Sequence, residues 1–172
     1  MEHMEGEAEG RPGEFLQFAR RRASPLHQSA YVLCGDWHLA QDLVQETLVK
    51  AYRHWPRVRR ADDPDAYVRR ILLNEARDRW RRRERAESVA RFTVDPAVLD
   101  AAEDIVRRDR VLQALLELPF QQRATVVLRY LEGLSQAETA ELLGCSEGTV
   151  KSQSSRALAT LRKFLNRTEA KS

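Results

Sequence analysis

The chain has 172 residues, a formal net charge of +3 and two cysteines, enough for one ordinary domain or two small ones. Cys34 and Cys145 lie far apart without partner spacing, which argues against a disulfide framework or metal site and for a reducing compartment. No apolar run reaches the roughly 18 residues of a bilayer span, and the acidic start is unlike a secretory leader, so a soluble, cytoplasmic protein is expected.

Local charge says more than the total. Twenty-nine basic residues offset 26 acidic ones, yet Arg77, Arg79, Arg81, Arg82, Arg83 and Arg85 crowd one stretch. Such a patch sets nucleic-acid affinity through counterion release, whatever the sum. Residues 1–13 are Glu- and Gly-rich without apolar periodicity and read as a disordered tail. From Glu14 a helical pattern (Phe15, Phe18, Ala19, Arg22) leads to Pro25. A second apolar stretch, Leu26, Ala30, Tyr31 and Leu33, stops at Gly35-Asp36.

Leu39 to Trp55 is the clearest helix of the first half. Leu39, Leu43, Val44, Thr47, Leu48, Ala51, Tyr52 and Trp55 recur at three and four residues and form a core-facing stripe. Asp42, Gln45, Glu46 and Val49 line the other face. An exposed Val among acids and amides points to protein docking rather than plain solvation. Residues 56–64, PRVRRADDP, read as a loop. The next helix, about 65–83, buries Val68, Ile71, Leu72, Ala76 and Trp80. Arg70, Asn74, Arg77 and Arg81 lie almost opposite. A cationic ridge with one amide in its middle suits a phosphate backbone and the reading of one base. Trp80 and Trp55 fit core packing better than base stacking.

Residues 84 to about 103 lose the stripe and form a linker. Val111, Leu112, Leu115, Leu116 and Leu118 then make a helix ended by Pro119. Phe120, Ala124, Val127, Leu128 and Leu131 make another, closed by Gly133. In LSQAETAELLGCSEGTVKSQSSRALATL, Ser135 and Glu138 form a capping box and Ala137, Ala140 and Leu143 share a face. Gly144 permits a left-handed turn, Ser146 caps the next helix, and Val150, Ala157 and Leu161 anchor it. A small residue, a Gly turn and a buried anchor in this order define a helix-turn-helix over 136–155. The second helix presents Thr149, Lys151, Ser152, Gln153, Ser155 and Arg156, with no acid from Thr149 to Arg167. Hydrogen-bonders and cations alone suit phosphates and base edges in a major groove, where a hairpin that only closes a core would have no use for them. The fold class is therefore all-α: two small helical domains, 14–83 and 105–166, joined by a flexible linker at 84–104.

No catalytic arrangement emerges. The four histidines lack ligand spacing, and no Gly-rich phosphate loop or nucleophile pattern occurs. Neither an enzyme nor a cofactor is expected.

GDWHLAQDLVQETLVKAYRHW with AYVRRILLNEARDRWRRR resembles region 2 of bacterial sigma factors. LPFQQRATVVLRYLEGLSQAETAELLGCSEGTVKSQSSRALATLR resembles region 4. Their order and short linker are similar to the extracytoplasmic-function group of the sigma-70 family, especially SigE-type actinobacterial members. The resemblance implies an initiation factor that binds core RNA polymerase, through the β′ clamp helices and the β flap, and directs it to promoter DNA. Asp42, Gln45, Glu46 and Val49 match the clamp-docking segment. Asn74, Arg70, Arg77 and Arg81, with loop residues Arg59, Arg60 and Asp62, match the part that captures the −10 strand. Lys151, Ser152, Gln153, Ser155 and Arg156 match the −35 reader. The linker acids Asp95, Asp100, Glu103 and Asp104 match linkers threaded through the polymerase interior, and an anti-sigma factor is a further expected partner. Cys34 stands where Thr or Ser is more usual, and Ser155 is smaller than its counterparts in other branches. The competing reading is a stand-alone helix-turn-helix regulator, which would need a dimer seam or sensor where this chain has an Arg/Asn ridge. A third, an adaptor or sigma decoy without DNA contact, is opposed by the intact Lys151–Arg156 face.

Overall fold

The computed structural model describes residues 5–87 and 103–169, and among them the chain is entirely helical. The N-terminal domain holds α1 (Glu5–Cys34), α2 (Trp37–Arg53), the single turn α3 (Trp55–Val58) and α4 (Pro64–Glu87). The C-terminal domain holds α5 (Glu103–Leu116), α6 (Phe120–Val126), α7 (Gln136–Leu143) and α8 (Glu147–Glu169), with α6 passing into a π-helical turn at Val127–Leu131. The linker acids Asp95 and Asp100 lie outside the described residues; Glu103 and Asp104 open α5.

Each junction has a local cause. Gly35 adopts φ +72 and Asp36 accepts the Leu39 N–H at 2.9 Å, so α1 stops and α2 starts within two residues. Asp63 accepts the Ala66 N–H at 3.0 Å, and Pro64 opens α4, where a missing N–H costs nothing. Pro56 sits in the first turn of α3 for the same reason, so the expected 56–64 loop is partly helical.

The expected break at Pro25 does not occur. Leu26, Ser29, Ala30 and Leu33 continue the buried stripe begun by Phe18, and that burial outweighs the roughly 3 kcal/mol that an interior proline costs. Nor is the tail disordered throughout: α1 starts at Glu5. Propagation adds one bond per residue to an existing helix, and Glu5, Glu7 and Glu9 complement its dipole.

Phe18, Leu26, Leu43, Val44, Trp55, Val68, Leu72 and Leu73 fill the core of the N-terminal domain. That cluster runs on without a break into Phe120, Ala124, Val127, Leu128, Leu142 and Leu143 of the C-terminal domain. Trp80 is part of the seam, with the Phe120 ring 6.4 Å away and the Arg123 guanidinium 4.5 Å over its face. Four residues placed on apolar faces by periodicity, Tyr52, Val111, Leu131 and Ala137, are exposed. For Leu131 the reason is the π turn. Its extra residue per turn moves Leu131 out of the 3.6-residue register and swings Glu132 inward.

Candidate nucleic-acid interface

The helix-turn-helix is built as its residues require. The Ser135 hydroxyl accepts the Glu138 N–H at 3.1 Å, and the Glu138 carboxylate accepts the Ser135 N–H at 2.7 Å. These bonds hold the Glu138 carboxyl below the usual carboxylate range. Gly144 closes α7 at φ +66, Ser146 accepts the Thr149 N–H at 3.1 Å, and Val150 and Ala157 are wholly buried beneath α8. Lys151, Ser152, Ser155 and Arg156 consequently face solvent. Two expected readers are partly engaged: the Thr149 hydroxyl lies 2.9 Å from that of Ser146, and the half-buried Gln153 turns its Oε1 inward. Ser154, between them, is buried.

On α4, Arg70, Asn74 and Arg81 are exposed and Arg77 is half-buried, so the ridge lies along one side of the helix. A cleft of about 630 Å³ opens beside it. Asp62, Arg70 and Asn74 form one wall, and Leu134, Glu138 and Glu141 of the other domain form the facing one. Arg70 reaches the Glu141 carboxylate at 3.7 Å and its carbonyl at 3.3 Å. Further along, Arg77 and Arg81 share a shallower cleft with Phe120, Gln121 and Leu143. Of the loop residues, Arg59 pairs with Glu14 at 3.4 Å, while Arg60 and Asp62 are exposed.

The α2 face is exposed at Asp42, Gln45, Glu46 and Val49, with Val49 half accessible and Tyr52 beside it at i+3. Arg79 bonds Glu46 at 3.1 Å and holds its carboxyl below the ordinary range, so this face keeps its negative charge. Lys50 pairs with Glu75 next to it.

Sequence reasoning missed the groups that join the domains. Glu132 has a 7% exposed side chain and meets Arg69 at 2.9 Å, Arg22 at 3.8 Å and the Ser29 hydroxyl at 2.6 Å. Buried Arg123 donates to the carbonyls of Leu33 at 2.6 Å, Leu116 at 3.1 Å and Leu118 at 3.0 Å. One clue was available: Arg123 falls at i+3 from Phe120 on an otherwise apolar stripe.

Two helical bundles, one carrying an Arg/Asn ridge and the other a helix-turn-helix, define a two-part DNA-binding protein. Residues 18–86 match Sigma-70 region 2 and residues 108–161 match Sigma-70, region 4. The chain is 40% identical over 158 residues to the RNA polymerase sigma-E factor of Streptomyces avermitilis, covering 92% of this chain and 88% of the relative. It is 34% identical over 151 residues to the ECF RNA polymerase sigma factor SigM of Mycobacterium tuberculosis, covering 88% and 76%. Among solved structures it is similar to the sigma factor RpoE of Bartonella quintana in complex with the anti-sigma factor NepR. That likeness has a TM-score of 0.76 at 29% identity and covers 89% of this chain and 97% of the other. It is also similar to CnrH in complex with the cytosolic domain of CnrY, with a TM-score of 0.63 at 29% identity, covering 89% and 88%. The chain belongs to the sigma-70 family, within its extracytoplasmic-function group.

Proposed function

We propose that the chain is a promoter-specificity subunit whose three exposed faces divide the work of transcription initiation. The α2 face, Asp42, Gln45, Glu46 and Val49, docks on the β′ clamp helices of core RNA polymerase, and the C-terminal domain seats on the β flap. Its acids would supply register and its half-exposed Val an apolar anchor. The ridge Arg70, Asn74, Arg77 and Arg81 takes the −10 strand. Flipping a base costs a few kcal/mol of stacking, offset by phosphate contacts to the arginines and by hydrogen bonds to the Asn74 amide. The loop residues Arg59, Arg60 and Asp62 border that site. The α8 face, led by Lys151, Ser155 and Arg156, enters the major groove of the −35 element, with Ser152 and Gln153 at its edge.

The observation that carries this reading is the position of the cationic ridge on a bundle separate from the helix-turn-helix. A stand-alone regulator reads duplex through two copies of one motif across a dimer axis, and has no use for a second, single-strand-type surface. Since relatives of similar fold are solved with anti-sigma factors bound, an anti-sigma factor is proposed as a partner here too.

Run-off transcription with purified core polymerase and a promoter library tests the proposal. Stimulation from a subset of templates is expected; no stimulation from any template would sink it, even if the protein bound DNA. Glu46→Lys should weaken core binding severalfold while leaving helicity and melting temperature unchanged, because the pair it breaks is at the surface. Unaltered affinity would remove Glu46 from the interface.

A further inference from the structure

The residues assigned to the −10 strand are not open to solvent on all sides. The far wall of the cleft beside Arg70 and Asn74 belongs to α7, which brings Glu138 and Glu141 to it, and Arg70 already contacts Glu141. Phe120, Gln121 and Leu143 close on Arg77 and Arg81 in the same way. A nucleic-acid strand entering here would meet carboxylates across from the cations meant for its phosphates, and like charges at that range repel. The α8 face is not covered: Lys151, Ser155 and Arg156 remain in solvent.

What holds the domains in this position is more than surface contact. Glu132 is inserted between Arg22 and Arg69 of the N-terminal domain and accepts from Ser29. A carboxylate so buried is tolerated because two guanidinium groups and a hydroxyl satisfy it. It reaches them because the π turn directs it there. The apolar seam of Trp80, Phe120 and Leu143 lies alongside.

Geometry makes this arrangement incompatible with promoter binding. The −10 and −35 positions are about 25 base pairs apart, roughly 85 Å along B-DNA at ~3.4 Å per step. A chain of 172 residues folded as one compact body has a radius of gyration of roughly 16 Å and a diameter of about 40 Å. It cannot span both elements without coming apart.

We propose that the free chain masks itself: the Glu132 clasp and the acidic edge of α7 hold the C-terminal domain over the −10 ridge of α4. The ridge accepts a strand only when the domains separate. This rests on the assignment of that ridge to the −10 strand. The partner is a segment of the chain itself, chosen by charge complementarity to Arg69 and Arg70.

Small-angle scattering and strand binding by the full chain test it together. The probe is a fluorescent, mixed-sequence DNA single strand of about 20 nucleotides. Glu132→Gln removes the clasp charge, and Glu141→Ala, at an exposed site that cannot unfold the domain, removes the α7 contact. Either change, and more so both, should raise the radius of gyration, by about a fifth or more in the double variant. The double variant should bind the strand about fivefold more tightly or better at unchanged helicity. Glu117→Gln, the same charge change at an exposed position outside the clasp, should do neither. An unchanged radius in the double variant would show that these groups do not hold the domains. A larger radius without tighter binding would show that docking masks nothing. If Arg70→Ala and Asn74→Ala leave affinity intact in the opened background, the −10 assignment fails and the masking with it, while the scattering still reports on the clasp alone.

Discussion

Arg123 is a cation held by carbonyl oxygens rather than by a carboxylate. Its guanidinium donates to Leu33, Leu116 and Leu118 and lies over Trp80, and burial pushes its pKa down to about 10, so it stays charged at neutral pH. Arg123→Ala would leave three acceptors without their donor beside a new cavity. A loss of about 3 kcal/mol or more in urea unfolding is expected, and a change below ~1 kcal/mol would mean that water replaces the donor readily. Cys34 shows burial acting on a neutral group. Desolvation raises its thiol to about 11 despite the nearby Arg79, Arg123 and Arg83. A raised pKa means less thiolate, so at pH 8 Cys34 should alkylate about 100-fold more slowly folded than unfolded. Mass spectrometry of iodoacetamide adducts against time measures this; equal rates would place the thiol in solvent. Neither environment could be read from the sequence, because each is assembled from residues remote in the chain.

At the scale of the element, two glycines separate backbone strain from packing. Gly144 and Gly35 both have positive φ, but a Cβ at Gly144 meets nothing within 4 Å, whereas one at Gly35 would lie 2.6 Å from the Leu116 methyls. Gly144→Ala should cost about 1 kcal/mol from the left-handed backbone alone. Gly35→Ala should cost more, since Leu116 must also move; thermal melts of the two variants rank them, and equal losses would show that Leu116 adjusts freely. The helix-turn-helix was legible because every device in it is local: Ser135 and Glu138 are three residues apart, and Gly144 terminates α7 by its own φ. The continuity of α1 through Pro25 and the π turn at Val127–Leu131 were not. Both are cases of tertiary burial overriding a local rule, and the signal for each lies in the partner helices.

For the molecule as a whole, the open question is how two reading surfaces act at a fixed separation. Arg156 is exposed on α8, clear of the interdomain seam. In promoter binding by the holoenzyme, Arg156→Ala should cost about 1–3 kcal/mol, and the loss should vanish on templates altered at one −35 position. A loss equal on all templates, with a salt slope lower by about 1, would make it a phosphate contact. The distinction matters because phosphate contacts position the C-terminal domain, whereas a base contact contributes to the choice of promoter.

Helical class, a two-domain division and the chemistry of the exposed faces were determined by the sequence alone, since periodicity, capping residues and charge spacing act within a few turns of one helix. The tertiary structure decided what those faces meet. Glu132 and Arg123 are unremarkable in the linear pattern, yet one closes on Arg22 and Arg69 and the other on the Leu33 carbonyl. Contacts between residues roughly 60 to 110 positions apart depend on how whole helices pack, and no local pattern encodes that.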